Sequence, residues 1–403
     1  MKRKLLLFIS LISCLFAAAQ ISVSGTVSDL DGNRLEGAAV YLNNTSIGTT
    51  TNGDGQFYLN LPEGQYKLVV SYLGYQSERY PIDTKTYKEP IVFKLVPKTN
   101  VLNEVVIKRR KKIGPDRRKE FLKTFRQEFL GISKFAKKCK ILNEDVIDFD
   151  FNDDTKTLEV FAREPLQIVN EAFGYTVFYD LTTFKLAPNN LTYLGNVRYV
   201  ENEGKKGKKK RWLKNRKKAY RGSPVHFLRA VMKDQVRKEG FLVDQIKRTP
   251  NPRRPSTEEI QKAYDIIMRV KNAKPSSYGK KPVSEVELVK AQAIMRRAQL
   301  KPYIERLIKR NMKTYEFILE YDGKKNLMFD DFLKVMYVRE LPDKNYRHRN
   351  SFTRYQTSLM SLNKEEVEIN KIGTFKEPLD ALLLGYWGFE KVGDALPLDY
   401  QPN

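Results

Sequence analysis

From Ile21 to about Pro97, apolar and polar residues alternate in short runs separated by turn-forming residues: "ISVSGTVSD", the turn "LDGNRL", "AAVYLNNT", "SIGTTT", "QFYLNLP", "QYKLVVSYLGY" and "PIVFKLVP". Period-two runs at this spacing predict an antiparallel β-sandwich of the seven-stranded type. Phe57, Leu59 and Leu61 share one face, and Leu68, Val70 and Tyr72 can cover it from the next strand. Asn52-Gly53 is expected to supply the positive backbone angles of a tight hairpin, with Gly55 easing the return and Pro62-Glu63-Gly64 making the next turn. Read as a cation loop instead, the stretch offers only Asp54 and Glu63, nine residues apart, and lacks the converging carboxylates calcium needs.

Beyond a basic linker at 98–119 the pattern changes. Ile147, Phe149 and Phe151 alternate with Asp148 and Asp150, and Leu158 and Val160 resume after a polar turn, which predicts a hairpin. Asp148, Asp150, Asn152 and Glu159 imitate EF-hand spacing, but Asp153 stands where that loop needs glycine, Lys156 takes its ninth position, and the flanks read as strands. Lys205 to Lys218 then holds ten basic residues in fourteen and no acid. Wound as a helix from about Arg211, it places Trp212, Asn215, Arg216, Ala219 and Tyr220 on one face, while Lys214, Lys217 and Lys218 look mostly elsewhere. Ser223-Pro224 reads as the N-cap and first position of a second helix, with Leu228, Val231, Met232 and Val236 as its buried stripe and Gly240 as its end.

Residues 248–312 carry two capping-box patterns, Ser256 to Glu259 and Ser284 to Glu287, each opening an amphipathic run. They predict a charged helical insertion over about 250–315. Strand patterns return with "TYEFILEY", "LKVMYVRE", "YQTSLMSLN" and "EVEINKIGTF". The terminal "GYWGFEKVGDALPLDYQP" predicts a short helix with Phe389, Val392 and Leu396 on one side, stopped before Pro397. The fold class expected is mainly β with α (α+β): an N-terminal sandwich at 21–97, then a β-rich mixed domain over 120–403 with the helical insertion.

The first residues set the cellular compartment. Lys2, Arg3 and Lys4 precede an apolar run from Leu5 to Phe16 and then Ala17-Ala18-Ala19, the layout of a secretory signal peptide over 1–19 cleaved after Ala19. Leu11-Ile12-Ser13-Cys14 offers a second reading, a lipobox that would leave a lipidated Cys14. After cleavage at Ala19 the remaining cysteine is Cys139, so stability must come from cores and not from an internal disulfide. No later window approaches 18 uninterrupted apolar residues, so no transmembrane helix is expected after the signal. The formal charge of +25 calls for an acidic partner. For an exported chain that means anionic lipid, lipopolysaccharide or acidic glycan; a nucleic-acid binder fits the charge but conflicts with the signal peptide.

The stretch from Gly25 to Tyr75, "GTVSDLDGNRLEGAAVYLNNTSIGTTTNGDGQFYLNLPEGQYKLVVSYLGY", resembles the carboxypeptidase-like regulatory domain, a transthyretin-like sandwich common at the N-terminus of exported Bacteroidota proteins. The resemblance implies a non-catalytic domain, a periplasmic or outer-membrane location in a Gram-negative bacterium, and no activity. The following "VLNEVVIKRRKK", Val101 to Lys112, is similar to the segment that joins this domain to the plug of TonB-dependent outer-membrane transporters. No plug-like stretch follows, and the 296 residues after Ile107 are too few for a plug and a 22-stranded barrel, so a transporter is not expected, and a transport accessory is the remote alternative. Trp212 through Ala230 and the terminal "GYWGFEKVGDALPLDY" resemble an uncharacterised Bacteroidota cell-envelope family.

No assembled catalytic set and no cofactor are expected. His226 and His348 are the two histidines, and the fourth position counted from His226 is Arg229, so the His-x-x-Glu pair of a zinc carboxypeptidase is missing and no metal is expected. Ser223 with His226, or Glu390 with Asp394 one turn apart, are the candidates for the alternative function, an envelope-polymer hydrolase. The favoured function is a non-catalytic envelope binding or scaffold protein that engages an anionic envelope component or a partner protein. Its candidate binding residues are Trp212, Asn215, Arg216, Tyr220, His226, Arg229, Lys208, Lys209 and Lys210. Two readings of the Trp212 face stay open: a ligand groove where Trp212 and Tyr220 stack and Arg216 takes an anion, or packing with Asn215 and Arg216 satisfied by backbone carbonyls.

Overall fold

The computed structural model describes residues 20–98, 113–188, 190–271, 283–346 and 354–402. The signal peptide, Cys14, the Val101 to Lys112 segment and His348 lie outside the described residues.

The alternating runs of the N-terminal region become seven strands: β1 (Gln20–Asp29), β2 (Ala39–Leu42), β3 (Gly48–Thr50), β4 (Gln56–Pro62), β5 (Gln65–Ser71), β6 (Glu78–Asp83) and β7 (Ile91–Leu95). They form two sheets, ordered β4-β1-β7 and β3-β2-β5-β6. Phe57, Leu59 and Leu61 pair beside Gly25, Val23 and Ile21 and bury their side chains against Leu42, Leu68 and Val70 of the facing sheet. Burying a side chain such as Phe57, 1% exposed, contributes about 2–3 kcal/mol. One pairing is parallel, β1 with β7. The Asn52-Gly53 turn is not a hairpin, because β3 and β4 belong to different sheets. Its positive angle falls at Gly55 (φ +68°), and the Asn52 side-chain oxygen closes the turn by accepting from the Asp54 and Gln56 amides at 3.1 and 2.8 Å.

The chain beyond the linker gathers two further cores. The first has α1 (Pro115–Phe125), prolonged by a π-helical turn at Arg126–Leu130, packed on a sheet of β8 (Cys139–Ile141), β9 (Ile147–Asn152), β10 (Thr157–Ala162), β11 (Leu166–Asn170), β12 (Tyr175–Ala187) and β13 (Asn190–Glu201). The β9-β10 hairpin has Leu158 opposite Phe151 and Val160 opposite Phe149; its turn is closed by Asn152 accepting from the Asp154 and Thr155 amides. Phe125, Phe129, Tyr179 and Phe184 fill the space between helix and sheet.

The second core lies under α3 (Pro224–Met232), which follows α2 (Lys206–Tyr220). Its strands are β14 (Phe241–Pro250), β15 (Tyr303–Lys309), β16 (Ile318–Tyr321), β17 (Lys324–Leu327), β18 (Phe332–Tyr337), β19 (Gln356–Leu362), β20 (Val367–Ile369) and β21 (Ala381–Gly385), in sheets ordered β15-β14-β18-β19-β21 and β16-β17-β20. The helical insertion leaves and returns on the paired strands β14 and β15. It consists of α4 (Thr257–Lys271) and α5 (Glu285–Arg297), each opened by its capping box, with Ala263 and Ala291 buried. The insertion is shorter than the sequence pattern suggests, since 303–309 is strand. Three helix limits also move: α2 begins at Lys206, five residues earlier; α3 stops at Met232, well before Gly240; and the terminal helix α6 is only Tyr386–Phe389, followed by a 3-10 turn at Val392–Asp394.

The sandwich is not a loose appendage. Its 43–46 turn covers the free edge of β13: the Asn44 amide donates to the Val197 carbonyl at 2.8 Å, the Tyr199 amide to the Thr45 carbonyl at 3.0 Å, and the Leu398 amide to the Asn44 carbonyl at 2.7 Å. Arg79 to Asn196 and Ser77 to Asp180 extend the seam. Covering an edge strand in this way removes a row of unpaired backbone groups.

Candidate functional site

α2 is fixed by one face. The Trp212 indole N–H donates to the Glu171 carbonyl at 3.0 Å, Asn215 Nδ2 to the Ala172 carbonyl at 2.8 Å, and Arg216 Nε to the Phe173 carbonyl at 2.7 Å. Three residues on one helical face thus meet three successive carbonyls of a turn. Asn170 shapes that turn by accepting from the Ala172 and Phe173 amides. Gly174 (φ +71°) completes it, and a Cβ there would sit 2.2 Å from the Trp212 ring. The Arg216 guanidinium also lies 3.9 Å from the Tyr175 ring centroid and pairs with Glu201 at 2.8 Å. The seam is full, and it leaves Trp212, 5% exposed, and Arg216, 3% exposed, no surface with which to stack on or bind a ligand.

The other face of α2 carries the charge. Lys205, Lys206, Lys208, Lys209, Lys210, Arg211, Lys214, Lys217 and Lys218 are all exposed, and the first turn contains no acidic residue.

Ser223, His226 and Arg229 are brought together but do not form a catalytic pair. The Ser223 hydroxyl accepts from the His226 amide at 3.2 Å, as an N-cap does. The His226 ring has both nitrogens taken: Nδ1 accepts from the Gly222 amide at 3.1 Å, and Nε2 faces Glu239 at 3.2 Å. Burial among Tyr220, Phe241 and Tyr337 lowers the pKa of the imidazole, and an accepting Nδ1 fits a neutral ring whose Nε2–H donates to Glu239. Arg229 donates to the carbonyls of Ile372, Leu398 and Tyr400 at 2.9, 2.5 and 2.9 Å, tying α3 to the C-terminal segment. Tyr220 packs against the His226 ring at a tilt, 4.8 Å between centroids, and lies under the Arg229 guanidinium.

A cavity of about 990 Å³ opens between β13, α2–α3 and the segment from Asn363 to Tyr400, with Asn44 and Tyr179 also at its wall. Leu191, Leu194, Leu383 and Leu396 supply apolar wall, and Leu379 and Leu382, 53% and 40% exposed, mark where it meets solvent. Glu390 and Asp394 also line it. Burial, reinforced by Asp394, raises the Glu390 pKa well above the usual carboxylate range. Asp394 is pushed up to about 7, again chiefly by burial, although Ser133 donates to it at 2.5 Å. The two carboxyls are therefore not the solvated helical pair that their spacing suggests. Among the described residues no group of three or more metal-ligating side chains is gathered, and no helix is long and apolar enough to cross a membrane.

Residues 23–107 match the model of the CarboxypepD_reg-like domain family. The N-terminal sandwich is that domain. The chain is similar to the TonB-dependent receptor SusC of Bacteroides thetaiotaomicron, 37% identical over 90 residues, and to the TonB-dependent receptor P39 of Formosa agariphila, 36% identical over 89 residues. Each alignment covers 22% of this chain and 8% of the receptor, so the chain spans under a tenth of the length of the curated relatives it matches. A putative membrane-associated protein of unknown function from Bacteroides fragilis aligns over 90% of this chain and 93% of its own, at 12% identity and a TM-score of 0.16, too low to inform the fold.

Proposed function

We propose that this is a non-catalytic cell-envelope binding protein, exported to the periplasm or outer membrane, that docks on an anionic envelope component through the exposed face of α2. The observation that carries the reading is the pinning of Trp212, Asn215 and Arg216 to three successive carbonyls, which prevents α2 from rolling and holds its cations outward. A helix that opens with five lysines in its first six flanking and internal positions, 205–210, places positive charge against the positive end of its own dipole and like charges one turn apart. Such a surface costs stability by itself and regains it when an anion neutralises it. Lys208, Lys209 and Lys210 are the residues of this docking face; Trp212, Asn215 and Arg216 position it.

The test is co-sedimentation of the mature chain with vesicles containing anionic lipid or lipopolysaccharide across a salt series. Binding should fall as salt rises, because screening at 0.15 M already shortens the reach of exposed charge to about 8 Å. It should be lost in a Lys208→Gln, Lys209→Gln, Lys210→Gln variant. Binding indifferent to both salt and variant would sink the reading.

A further inference from the structure

The cavity between the two C-terminal cores is lined by none of Lys208, Lys209 and Lys210. We propose that it binds an apolar molecule bearing an amine, with the ammonium received by Glu390 and Asp394 and the apolar body lying against Leu191, Leu194, Leu383 and Leu396. The size is right for a whole small ligand, since binding sites commonly enclose about 300–1,000 Å³. The walls fix the ligand's body as apolar, and the exposed leucines 379 and 382 give it a way in.

The choice of an amine rests on charge. Two carboxyls share this wall, and no ion pair to either is formed among the described residues. Of the cations nearby, Arg229 gives its guanidinium to three backbone carbonyls, while Lys391, which also lines the cavity, and Lys134, which acts on Asp394, form no ion pair with either carboxyl. Glu390 makes no side-chain hydrogen bond among the described residues, while Asp394 is already oriented by Ser133 and the Lys391 amide. Glu390 is half-buried; a carboxyl so placed without a partner is costly to ionise alone, and an entering ammonium supplies a counter-charge. A carboxylate-bearing ligand brings no such counter-charge. This inference is independent of docking through α2.

The experiment follows displacement of the neutral fluorophore N-phenyl-1-naphthylamine from the mature full chain by dodecylamine, dodecanol and dodecanoate, each below its micelle concentration. It is run in the Lys208→Gln, Lys209→Gln, Lys210→Gln background so that α2 does not recruit the fatty acid. Dodecylamine should displace the probe at a concentration at least about tenfold lower than dodecanoate, the scale of one charge-assisted hydrogen bond. Glu390→Gln, which keeps the shape of the side chain, should shrink that preference while leaving dodecanol unchanged. Leu382→Trp, at the exposed mouth, should lower uptake of the probe itself. No probe uptake, equal displacement by amine and fatty acid, or an amine preference untouched by Glu390→Gln would each overturn the proposal.

Discussion

The α2 seam and the cavity, which Ala219 and Tyr220 at the end of α2 help to line, are built on opposite principles. In the seam, an indole, an amide and a guanidinium find three carbonyls, and the space at Gly174 is so full that a methyl group does not fit. The cavity encloses about 990 Å³, and the Glu390 carboxyl has no side-chain partner among the described residues. Aromatic and cationic side chains crowded together suggest a ligand site in any sequence, yet here they are the part of the molecule that is already satisfied. Binding capacity belongs where polar groups lack partners and space remains.

The largest effect should come from overfilling the seam. Gly174→Ala forces a side chain into a left-handed backbone angle and drives the Trp212 ring from its bonded position, at an expected cost of about 4 kcal/mol. Chemical denaturation measures it, and combining it with Trp212→Ala should give less than the sum of the two losses, because the clash is shared. Arg229→Ala comes next, at about 3 kcal/mol: it strands three carbonyls and frees the C-terminal wall of the cavity from α3.

The third prediction separates the two regions by pH. Asp394 is ordinarily ionised above 3.8 but in the folded chain keeps its proton to about 7, so the native state binds more protons than the unfolded one between those values. Stability contributed by this group must therefore decline as pH rises from about 4 to 7, by on the order of 4 kcal/mol at full extent, with Glu390 acting in the same direction. His226 has the opposite sign: its folded pKa is depressed, so the unfolded chain takes up the proton first and stability falls as pH drops below 6.5. Melting temperatures from pH 4 to 8 should show Asp394→Asn flattening the decline toward neutrality and His226→Gln easing the loss on the acid side. An unchanged profile in Asp394→Asn would mean that the carboxyl is solvated.

How much of this was legible follows from the range of the interactions. The sandwich could be read because its signals are local: turn residues between period-two runs place Phe57, Leu59 and Leu61 inward whatever the partner strand. The packed face of α2 could be read for the same reason, from Trp212, Asn215, Arg216, Ala219 and Tyr220 at helical spacing. Their partners could not, since the 171–174 carbonyls lie some forty residues upstream and carbonyls leave no mark in a sequence. The cavity was least legible. Its walls come from Asn44, Tyr179, 190–199, 219–229 and 363–400, and Glu390 and Asp394 look like a helical pair only when periodicity is extended past the true end of α6 at Phe389. The Asn52-Gly53 turn failed differently: the dipeptide marks a turn but does not say whether the chain stays in one sheet.

The smallest effect tests what joins the seam to the cavity. Ser223 ends the turn after α2, caps α3 and reaches the cavity wall, and its neighbour His226 invites a nucleophile-base reading. As a cap it accepts one hydrogen bond from the His226 amide, so Ser223→Ala should cost about 1 kcal/mol and Ser223→Asp should recover most of that, because a carboxylate accepts the same bond and favours a helix start. A nucleophile behaves otherwise: aspartate cannot replace an attacking hydroxyl, and the ring that would activate it here gives one nitrogen to the Gly222 amide and the other to Glu239. Complementation of a deletion strain by Ser223→Asp at the level of the unaltered chain, together with recovered thermal stability, is therefore the expected result. Recovered stability with lost complementation would move Ser223 from the scaffold into the chemistry.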